Sequence, residues 1–330
     1  MRSKLSKILV TGGAGFIGSA FVRLAVKKGH KVSVVDKLTY AADPARLKDL
    51  KSKIRFYKAD IGNAKRIAMI LGTNRFDAIV NFAAETHVDR SIKDASPFFD
   101  TNLKGVQVLL DAARKRRIKR FLQISTDEVY GEIEKGAFGE GAPLLPNSPY
   151  AASKAAADLL IRSYIRTYNL PAVIIRPSNN YGPWQYPEKF MPLAILRVLK
   201  GEKIPVYGKG ENVREWLYVD DCARGVYQIM QKGRSGEIYN LGSHSELPNI
   251  RVAKAISKII SGDDGKIIFV RDRPGHDIRY RLNSAKAFKE TGWRPKVDFR
   301  NGLKATLRWY IKHQAWALSK WEDVARFYGF

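Results

Sequence analysis

Residues 10–18 read Val-Thr-Gly-Gly-Ala-Gly-Phe-Ile-Gly and join an apolar run, Lys7–Thr11, to a segment with helical spacing, Ala20–Lys28. Glycines at positions 12, 15 and 18 permit a tight turn and a close approach of the backbone to a ligand. Unpaired N–H groups and the helix dipole favour anions at the start of the helix that follows. A strand, this loop and a helix in that order therefore predict a site for the pyrophosphate of a dinucleotide.

The first half of the chain alternates short apolar, β-branched runs with segments of helical spacing. This alternation is typical of a parallel sheet with helices on both faces, whose strands are apolar almost throughout. We therefore predict an α/β fold, in which a Rossmann-type doubly wound parallel sheet is followed by a smaller, loop-rich α/β C-terminal lobe. The predicted strands are Lys7–Thr11, Lys31–Asp36, Ile54–Asp60, Ala78–Phe82, Phe121–Thr126 and Ala172–Arg176. Helical spacing covers Ala20–Lys28, Leu103–Lys115 and Ala155–Tyr168.

The pattern becomes irregular after Arg176, where proline, glycine and aromatic residues cluster in Pro177–Pro192 and Pro205–Trp216. The change predicts one domain over residues 1–176 and a partly interleaved lobe over residues 177–330 that closes over the carboxyl edge of the sheet. A helical tail, Trp316–Phe330, is expected to pack on the body of the protein or on a partner subunit. Further helices are predicted near Cys222–Gln231, Val252–Ile260 and Asn301–Gln314.

The composition of the chain excludes several classes of protein. Its 330 residues are 45% hydrophobic and 27% charged, as in an ordinary globular protein. No apolar run reaches the ~18 residues of a transmembrane helix, and the N-terminus lacks the apolar core of a signal peptide, so we expect a cytoplasmic protein. A single cysteine, Cys222, excludes an intrachain disulfide. No histidine or cysteine has metal-ligand spacing to His87, so no metal is predicted.

The net charge of +26 would raise the association rate with any anionic partner, including a nucleic acid or a sugar nucleotide. The densest basic run, Arg114–Arg120, follows a predicted helix, whose C-terminal end favours cations. We interpret this run as a solvated helix end. Because no nucleic-acid motif accompanies it, no nucleic-acid partner is expected.

An acid at the end of the second predicted strand indicates which dinucleotide binds. Asp36 could accept a hydrogen bond from a ribose 2′-hydroxyl and would repel a 2′-phosphate, which favours NAD over NADP. Lys37 complicates this prediction, since a cation there could tolerate the phosphate. Asp60 and Ile61 end the third strand, where the adenine would be reached.

Tyr150 and Lys154 lie one helical turn apart, so their side chains share a face. A tyrosine is a poor base at neutral pH, but a neighbouring ammonium is expected to lower its pKa. Such a tyrosine could take a proton from a hydroxyl group while nicotinamide takes the hydride. The pair therefore indicates oxidation of an alcohol.

Thr126, Asp127 and Glu128 end the fifth predicted strand, at the edge where ligands bind in such sheets. Two adjacent carboxyl groups repel each other, and burial would raise the pKa of at least one. One could then act as an acid and the other as a base, which suits the loss and return of water. Two solvated loop acids are the alternative interpretation of this segment alone.

Six further segments carry a resemblance to a known family. The chain is similar, over roughly residues 5–310, to the extended short-chain dehydrogenases/reductases and, within them, to the dTDP-glucose 4,6-dehydratases. The Thr-Asp-Glu set is the specific part, because sugar-nucleotide epimerases and decarboxylases of the superfamily typically lack the paired acid. The matching segments are Ala83–Ser91, Ser125–Gly131, Ser178–Pro183, Tyr186–Lys189, Arg214–Val219 and Asp272–Asp277.

The resemblance implies a mechanism: NAD-dependent dehydration of dTDP-glucose to dTDP-4-keto-6-deoxyglucose. Tyr150 would remove the O4 proton as hydride leaves C4. Glu128 would then remove the C5 proton, and Asp127 would protonate the departing 6-hydroxyl group. Lys154 would also bind the nicotinamide ribose, and Thr126 would hydrogen-bond the sugar. NAD would stay bound between turnovers.

The resemblance also implies the ligand contacts, a homodimer formed through helices near Leu103–Lys115 and Ala155–Tyr168, and a place in deoxysugar biosynthesis such as that of rhamnose. The expected cofactor contacts are Gly12, Gly15, Phe16, Ile17, Gly18, Asp36, Lys37, Thr39, Asp60, Ile61, Phe82, Ala83, Ala84, Thr101, Tyr150, Lys154 and Asn180. The expected substrate contacts are Thr86, Thr126, Asn179, Lys189, Phe190, Pro205, Tyr207, Arg214, Asn249, Arg273 and His276.

Several alternatives remain open. The nearest is another sugar-nucleotide enzyme, either a 4-epimerase or a 4,6-dehydratase of a UDP- or CDP-sugar, although the paired acid argues against the epimerase. A more distant alternative, suggested by the charge, is a non-catalytic protein that binds NAD or nucleic acid. One departure from the family is local: residues 41–47 read Ala-Ala-Asp-Pro-Ala-Arg-Leu in place of the usual Ala-Gly-Asn turn, which leaves the adenosine contacts there in doubt.

Overall fold

The computed structural model describes residues 5–329. Residues 1–4 and 330 lie outside the described residues. The predictions that include them are the two domain ranges, the interpretation of the N-terminus and the helical tail. The strands of the described part are β1 (Lys7–Thr11), β2 (Lys31–Asp36), β3 (Ile54–Lys58), β4 (Ala78–Asn81), β5 (Arg120–Ile124), β6 (Ala172–Pro177), β7 (Asn179–Tyr181), β8 (Ile204–Tyr207), β9 (Val213–Tyr218), β10 (Ile238–Leu241), β11 (Glu246–Pro248) and β12 (Ile267–Val270).

Helices flank the sheet and fill the C-terminal half. They are α1 (Phe16–Lys27), α2 (Ala64–Thr73), α3 (Val88–Lys93), α4 (Ser96–Phe99), α5 (Gly105–Lys115), α6 (Pro149–Tyr168), α7 (Phe190–Leu199), α8 (Val219–Lys232), α9 (Asn249–Ser261), α10 (Ala285–Thr291), α11 (Phe299–Lys312), α12 (Gln314–Leu318) and α13 (Trp321–Tyr328). Short 3₁₀ turns cover Pro44–Leu50 and Asp127–Tyr130, and a π-helical turn covers Asp100–Lys104.

A seven-stranded sheet, in which every pairing is parallel, confirms the predicted Rossmann-type fold. Its strand order is β10-β6-β5-β4-β1-β2-β3. The chain reverses direction across the sheet between β1 and β4, and ligands bind at the carboxyl ends of the strands at such a switch point. The central strands are buried on both faces, as predicted, but β3 is not. Because β3 is the edge strand, Arg55 and Phe56 are exposed to solvent.

Helix α6 starts six residues before its predicted beginning at Ala155, because its cap lies outside the apolar pattern. The Ser148 hydroxyl accepts a hydrogen bond from the backbone N–H of Ala151, and Pro149 occupies the first turn, where its missing N–H costs nothing. Both Tyr150 and Lys154 therefore lie in the first two turns of this helix, next to the carboxyl ends of the strands.

The second half of the chain forms its own core and also extends the first sheet. Strands β11, β9 and β7 form one small sheet, and β12 pairs with β8. Helices α7 and α9 pack together over a buried cluster that includes Ile195, Trp216 and Ile256. Strand β10, which the sequence analysis did not predict, pairs with β6 and completes the main sheet.

The described part of the tail is largely helical, as predicted. The tail forms two short helices, α12 and α13, with a break at Ser319 and Lys320. Ala317 and Val324 are fully buried against the second core, so the described tail packs on the body of its own chain.

The basic run after α5 is only partly a solvated helix end. Residues 114–117 are exposed, as expected. Arg120, in contrast, is buried at the start of β5 and donates to the carbonyl of Ile229 at 2.9 Å and to Ser235 Oγ at 3.0 Å. This arginine thus connects the sheet to the end of α8. Within residues 5–329, no helix has the combination of length and apolarity needed to cross a membrane.

Candidate active site

The glycine loop between β1 and α1 leaves no room for side chains. Gly12 has φ of +68°, and a Cβ atom there would lie 2.5 Å from the backbone nitrogen of Ala83. A Cβ atom at Gly18 would lie 2.2 Å from the carbonyl oxygen of Gly12. No side chain caps the N-terminus of α1. The first N–H groups of α1 are therefore available to an anion, as a pyrophosphate site requires.

Asp36 and Lys37 lie at the end of β2 on the wall of this pocket. The Asp36 carboxylate accepts hydrogen bonds from the backbone N–H groups of Ala14 and Leu38, each at 2.9 Å. Burial raises the pKa of Asp36, and these two hydrogen bonds oppose the rise. The Lys37 ammonium forms an ion pair with Asp60 at 2.7 Å, so a carboxylate accompanies this cation. The pair weakens the complication that Lys37 posed for the NAD prediction.

The predicted cofactor residues converge on one pocket. It runs from the glycine loop along the carboxyl ends of the strands to α6. The residues predicted for the cofactor that line it are Gly12, Gly15, Phe16, Ile17, Gly18, Asp36, Lys37, Thr39, Asp60, Ile61, Phe82, Ala83, Ala84, Thr101, Tyr150, Lys154 and Asn180. Thr126, Asp127 and Glu128 line the same pocket, so the structure brings the dinucleotide site and the acids together.

The loop over residues 41–47 takes a form that the sequence did not predict. Asp43 caps a 3₁₀ turn by accepting from the backbone N–H of Ala45. Arg46 is fully buried, and its Nη1 donates to the carbonyl oxygens of Ala14 and Ala41, both at 2.7 Å. Its Nη2 donates to the carbonyl oxygen of Trp184 at 2.9 Å. The guanidinium thus connects the glycine loop, through Ala14, to Trp184 in the C-terminal lobe.

Thr126, Asp127 and Glu128 follow β5 as the start of a 3₁₀ turn. The Thr126 hydroxyl caps this turn by accepting from the backbone N–H of Glu128 at 3.3 Å, and it lies 3.2 Å from Asp127 Oδ1. Asp127 Oδ2 is buried and has no hydrogen-bond partner in the described structure. A buried, unpaired carboxyl oxygen beside a pocket is available to a ligand.

The two acids have different electrostatic surroundings. Burial raises the pKa of Asp127 well above its usual value, and the charges of Glu128 and Glu215 add to the rise. Burial also raises the pKa of Glu128, but Arg273, Arg214 and Lys189 oppose that rise. The protonated form is therefore favoured more at Asp127, while the cations favour the carboxylate form of Glu128.

The Tyr150–Lys154 pair differs electrostatically from the sequence prediction. The pKa of Tyr150 is raised, chiefly by burial and then by Glu128, while a hydrogen bond with Thr126 lowers it. Burial lowers the pKa of Lys154 to about 8, and its Nζ donates to the carbonyl oxygen of Ile124 at 2.6 Å. The predicted lowering of the tyrosine pKa by Lys154 is wrong for this structure, because burial of the Tyr150 phenol and the charge of Glu128 raise that pKa.

A buried ion pair lies behind the predicted catalytic groups. Arg176 Nε donates to Asp158 Oδ2 at 2.9 Å, and the two side chains are 1% and 0% exposed. Ser125, next to Thr126, donates to the same carboxylate oxygen at 3.0 Å. The charge of Asp158 also raises the pKa of Lys154 against the effect of burial. Beneath the site, the pair thus connects α6, which carries Asp158, to β6, which carries Arg176, and Ser125 connects both to the end of β5.

A second pocket continues from the first into the C-terminal lobe. The two share Thr86, Glu128, Asn179, Asn180, Gln185, Glu188 and Lys189. The residues predicted for the substrate that line the second pocket are Thr86, Asn179, Lys189, Phe190, Pro205, Tyr207, Arg214, Asn249, Arg273 and His276. Thr126 is the exception: it lines the first pocket, beside Tyr150.

Three cations in the second pocket come from separate elements. Lys189 Nζ donates to the carbonyl oxygen of Thr86 at 2.7 Å, and Arg214 Nη2 donates to that of Asp277 at 2.9 Å. Arg273 Nη1 lies 3.4 Å from Asp89 Oδ1. Lysine and arginine are the usual partners of phosphate oxygens, so this pocket suits a diphosphate.

His276 lies against Asp272, with Nδ1 2.6 Å from Oδ1. Burial and the charges of Arg273 and Arg214 lower the pKa of His276 to about 4, so it is neutral at physiological pH. The ring of Tyr207 meets it edge to face at a centroid distance of 5.9 Å. These two rings form one wall of the second pocket.

Several lining residues were not predicted from the sequence. The buried Glu188 and the partly buried Asp89 lie within segments that carried the resemblance, so both acids could have been proposed as pocket groups. Burial raises the pKa of Glu188, which accepts from Tyr40 at 2.9 Å. Tyr280 and Tyr328 also line the pocket, and no local pattern marked either of them.

No metal site was expected. Within residues 5–329, no group of three or more histidine, cysteine, aspartate or glutamate side chains is arranged to hold a metal ion. His87 instead hydrogen-bonds Tyr328, and Cys222 is buried in α8.

Comparisons with known proteins agree on one family. A family model described as GDP-mannose 4,6 dehydratase matches residues 9–306. A dTDP-glucose 4,6-dehydratase of Streptomyces niveus is 47% identical over 327 residues, which cover 96% of this chain and 95% of the relative. The crystal structure of DesIV, a dTDP-glucose 4,6-dehydratase from Streptomyces venezuelae with NAD and dTDP bound, aligns with a TM-score of 0.91 and 46% identity over 94% of this chain and 98% of the other.

The same fold occurs in a relative with another activity. The structure of UDP-glucose 4-epimerase from Thermotoga maritima, with UDP-glucose, aligns with a TM-score of 0.88 and 32% identity over 93% of this chain and 99% of the other.

Proposed function

The chain belongs to the GDP-mannose 4,6-dehydratase family, and we propose that within it the protein is an NAD-dependent dTDP-glucose 4,6-dehydratase. It converts dTDP-glucose to dTDP-4-keto-6-deoxyglucose and is thus a hydro-lyase. The observation that carries the proposal is the pair of acids at the junction of the two pockets, where Asp127 favours its protonated form and cations face Glu128.

The first pocket fits NAD. The side-chain-free glycine loop and the uncapped N-terminus of α1 suit the pyrophosphate, and Asp36 suits a ribose hydroxyl group. When bound, NAD supplies the acceptor for the C4 hydride and the donor that returns it to C6. Lys154, next to Tyr150 on α6, would bind the nicotinamide ribose.

Tyr150 is the proposed base for the sugar O4 proton. Its phenol is buried beside the Thr126 hydroxyl, which can hold either the phenol or the sugar oxygen. Burial holds the proton on the phenol, so further positive charge in the filled site must favour the phenolate. Oxidation at C4 produces a ketone, which makes the proton on C5 acidic.

Asp127 and Glu128 are proposed to divide the elimination between them. Glu128 removes the proton from C5, because the neighbouring cations favour its carboxylate. Asp127, which holds a proton, donates it to the departing 6-hydroxyl group, so that water leaves and a C5–C6 double bond forms. Glu128 then returns its proton to C5 when C6 accepts hydride.

The second pocket is proposed to bind the nucleoside diphosphate. Lys189, Arg214 and Arg273 would neutralise the two phosphates, and Pro205 and Tyr207 would contact the base. On this proposal, residues 1–176 carry the cofactor and the catalytic groups, and residues 177–330 supply most contacts to the sugar nucleotide.

Product analysis tests the proposal. Purified protein is incubated with dTDP-, UDP-, CDP- or GDP-hexoses, and the 4-keto-6-deoxy product is followed by its absorbance in alkali. We expect turnover with dTDP-glucose, NAD release only after denaturation, and no turnover by Tyr150→Phe. A C4-epimerised sugar as the sole product would instead establish the 4-epimerase, and turnover of only a UDP- or CDP-sugar would reassign the base. Salt-dependent duplex binding without any turnover would favour the non-catalytic alternative.

We also propose a cytoplasmic homodimer that serves deoxysugar biosynthesis, such as that of rhamnose, without a nucleic-acid partner. Leu159 and Tyr168 on α6 are 54% and 47% exposed, which supports burial of α5 and α6 in a shared four-helix interface. Sedimentation of the parent chain and of Leu159→Lys tests this interface. A monomeric parent chain would contradict it.

A further inference from the structure

The last turn of α13 lies at the second pocket, although no ligand contact was predicted for this tail. Tyr328 lines the pocket, and its hydroxyl lies 3.0 Å from His87 Nε2 and 3.3 Å from Asp89 Oδ2. Burial lowers the pKa of His87 to about 2, so its ring is neutral. Because its Nδ1 accepts from the backbone N–H of Arg90 at 3.3 Å, the Nε2–H donates to the tyrosine oxygen. The position of the Tyr328 hydroxyl is therefore defined from the side of α3.

The residue before it, Phe327, is held by two cations. The Arg90 guanidinium lies 4.3 Å from the centroid of the Phe327 ring, and Lys93 Nζ lies 4.0 Å from it. Lys93 Nζ also donates to the carbonyl oxygen of Phe327 at 3.2 Å. Both cations are on α3, so one face of this helix fixes the end of the tail.

Arg90 has a second aromatic contact, on the cofactor side. Its guanidinium lies 4.1 Å from the ring centroid of Tyr40, which belongs to the loop after β2. Its Nε donates to Glu188 Oε2 at 3.1 Å, and Glu188 lines both pockets. The guanidinium thus lies between the Tyr40 and Phe327 rings, and its orientation is fixed by a buried carboxylate.

We propose that Arg90 and Phe327 are positioning residues for the sugar nucleotide: their contact fixes the last turn of α13 and so holds the Tyr328 hydroxyl at the wall of the second pocket. The inference rests on the proposed function, because the ligand is the nucleoside diphosphate of the substrate. The last turn of a helix frays unless it is held, and a ligand that binds beside a frayed turn must supply the free energy that orders it. The contact between Arg90 and the Phe327 ring orders the last turn of α13 before the ligand binds, so the ligand need not supply that free energy.

Calorimetric titration of the purified NAD-containing protein with dTDP tests this role. Phe327→Leu removes the aromatic face but keeps an apolar side chain, and we expect dTDP to bind about threefold to tenfold more weakly. Phe327→Tyr keeps the ring and is expected to bind dTDP as the parent chain does. The matched control is Phe288→Leu on α10, where Arg294 lies 3.6 Å from the ring centroid outside both pockets. This control should leave dTDP affinity unchanged, and none of the variants should lose NAD.

A double-mutant cycle separates positioning from a merely structural contact. Tyr328→Phe removes only the hydroxyl group. If Phe327 acts through that hydroxyl, Phe327→Leu has little further effect on dTDP affinity in the Tyr328→Phe background. Equal effects of Phe327→Leu in both backgrounds overturn the inference, as does parent-like dTDP binding by Phe327→Leu. If the parent chain binds no dTDP, the proposed function and the inference both fail, whereas normal parent binding with an inert Phe327→Leu refutes the inference alone.

Discussion

The ammonium of Lys37 and the carboxylate of Asp60 form an ion pair at 2.7 Å on the rim of the first pocket. The two residues come just after the ends of neighbouring strands, since β2 and β3 pair in parallel with Asp36 opposite Lys58. The pair matters for cofactor choice. A free lysine beside Asp36 could meet the 2′-phosphate of NADP, whereas a paired lysine is already neutralised.

Releasing Lys37 should therefore weaken the preference for NAD. Asp60→Asn keeps an oxygen that can accept from the backbone N–H of Gly62 but removes the negative charge. We expect NADP to bind about threefold to tenfold more tightly, with NAD affinity changed by less than about twofold. Fluorescence titration with both dinucleotides, of protein freed of NAD by denaturation and then refolded, measures this ratio. Asp49→Asn is the control, since Asp49 pairs with Arg23 away from the pocket. An unchanged ratio in Asp60→Asn would show that the ion pair does not affect selectivity.

Replacement of Glu128 should separate the two halves of the reaction. Glu128→Gln cannot remove the C5 proton, so we expect the turnover number to fall by about 10²–10⁴ while oxidation at C4 survives. Stopped-flow absorbance at the NADH band should then show a single partial turnover, and deuterium from solvent should not enter C5. Full dehydration by this variant would remove Glu128 from its role.

Asp127→Asn should lower activity and raise stability together. Burial places the pKa of Asp127 well above 3.8, so the folded protein binds one proton more than the unfolded chain between that value and the raised pKa. Stability conferred by this group therefore falls as pH rises through the window. We expect Asp127→Asn to lower the turnover number by about 10²–10⁴. We also expect the unfolding free energy of this variant to rise relative to that of the parent chain from pH 5 to pH 8. Urea unfolding of both proteins at the two pH values measures this difference, and a difference that does not change with pH would contradict the raised pKa.

The sequence predicted those parts of the structure that local residue patterns determine, and it did not predict those that depend on distant contacts. The run Lys31–Asp36 gave the bounds of β2 correctly, because a strand buried on both faces is apolar along its whole length. The edge position of β3 and the pairing of β10 with β6 depend on the order of strands, which no local pattern encodes. The same holds for the wall of the second pocket that Tyr328 forms, because its contact with His87 joins residues 241 positions apart.

The site residues followed the same rule. Those within motifs, such as Asp36 and Glu128, were found because the motif specifies both residue type and position. The pKa of Tyr150 was predicted in the wrong direction because spacing along a helix places Lys154 nearby but does not reveal how deeply the phenol itself is buried. Burial depends on the whole fold, and here it outweighs the neighbouring charge.

Lys154 should make a pH-dependent contribution to stability. Its pKa is about 8 in the folded protein and 10.5 in the unfolded chain, so between these values the unfolded chain binds the extra proton. Stability from this group therefore rises with pH across the window, by about 1.4 kcal/mol per pH unit. Lys154→Met lacks the titration. The difference in unfolding free energy between the parent chain and this variant should shift in favour of the parent from pH 8 to 9.5, measured by urea denaturation. A flat difference would show that the lysine is not desolvated.

The last prediction concerns the buried pair Asp158–Arg176. A single and a double variant distinguish the loss of a charge partner from the loss of packing. Asp158→Asn leaves the Arg176 guanidinium buried without a counter-ion, which should cost roughly 3–5 kcal/mol of unfolding free energy. Replacing both charges, as in Asp158→Leu with Arg176→Met, removes the uncompensated ion and should be less destabilising than the single change. Because Asp158 raises the pKa of Lys154, the pH window of Lys154 should also move to lower pH in Asp158→Asn. If the double variant proves the less stable, the hydrogen bonds within the pair and with Ser125 contribute more than its burial costs.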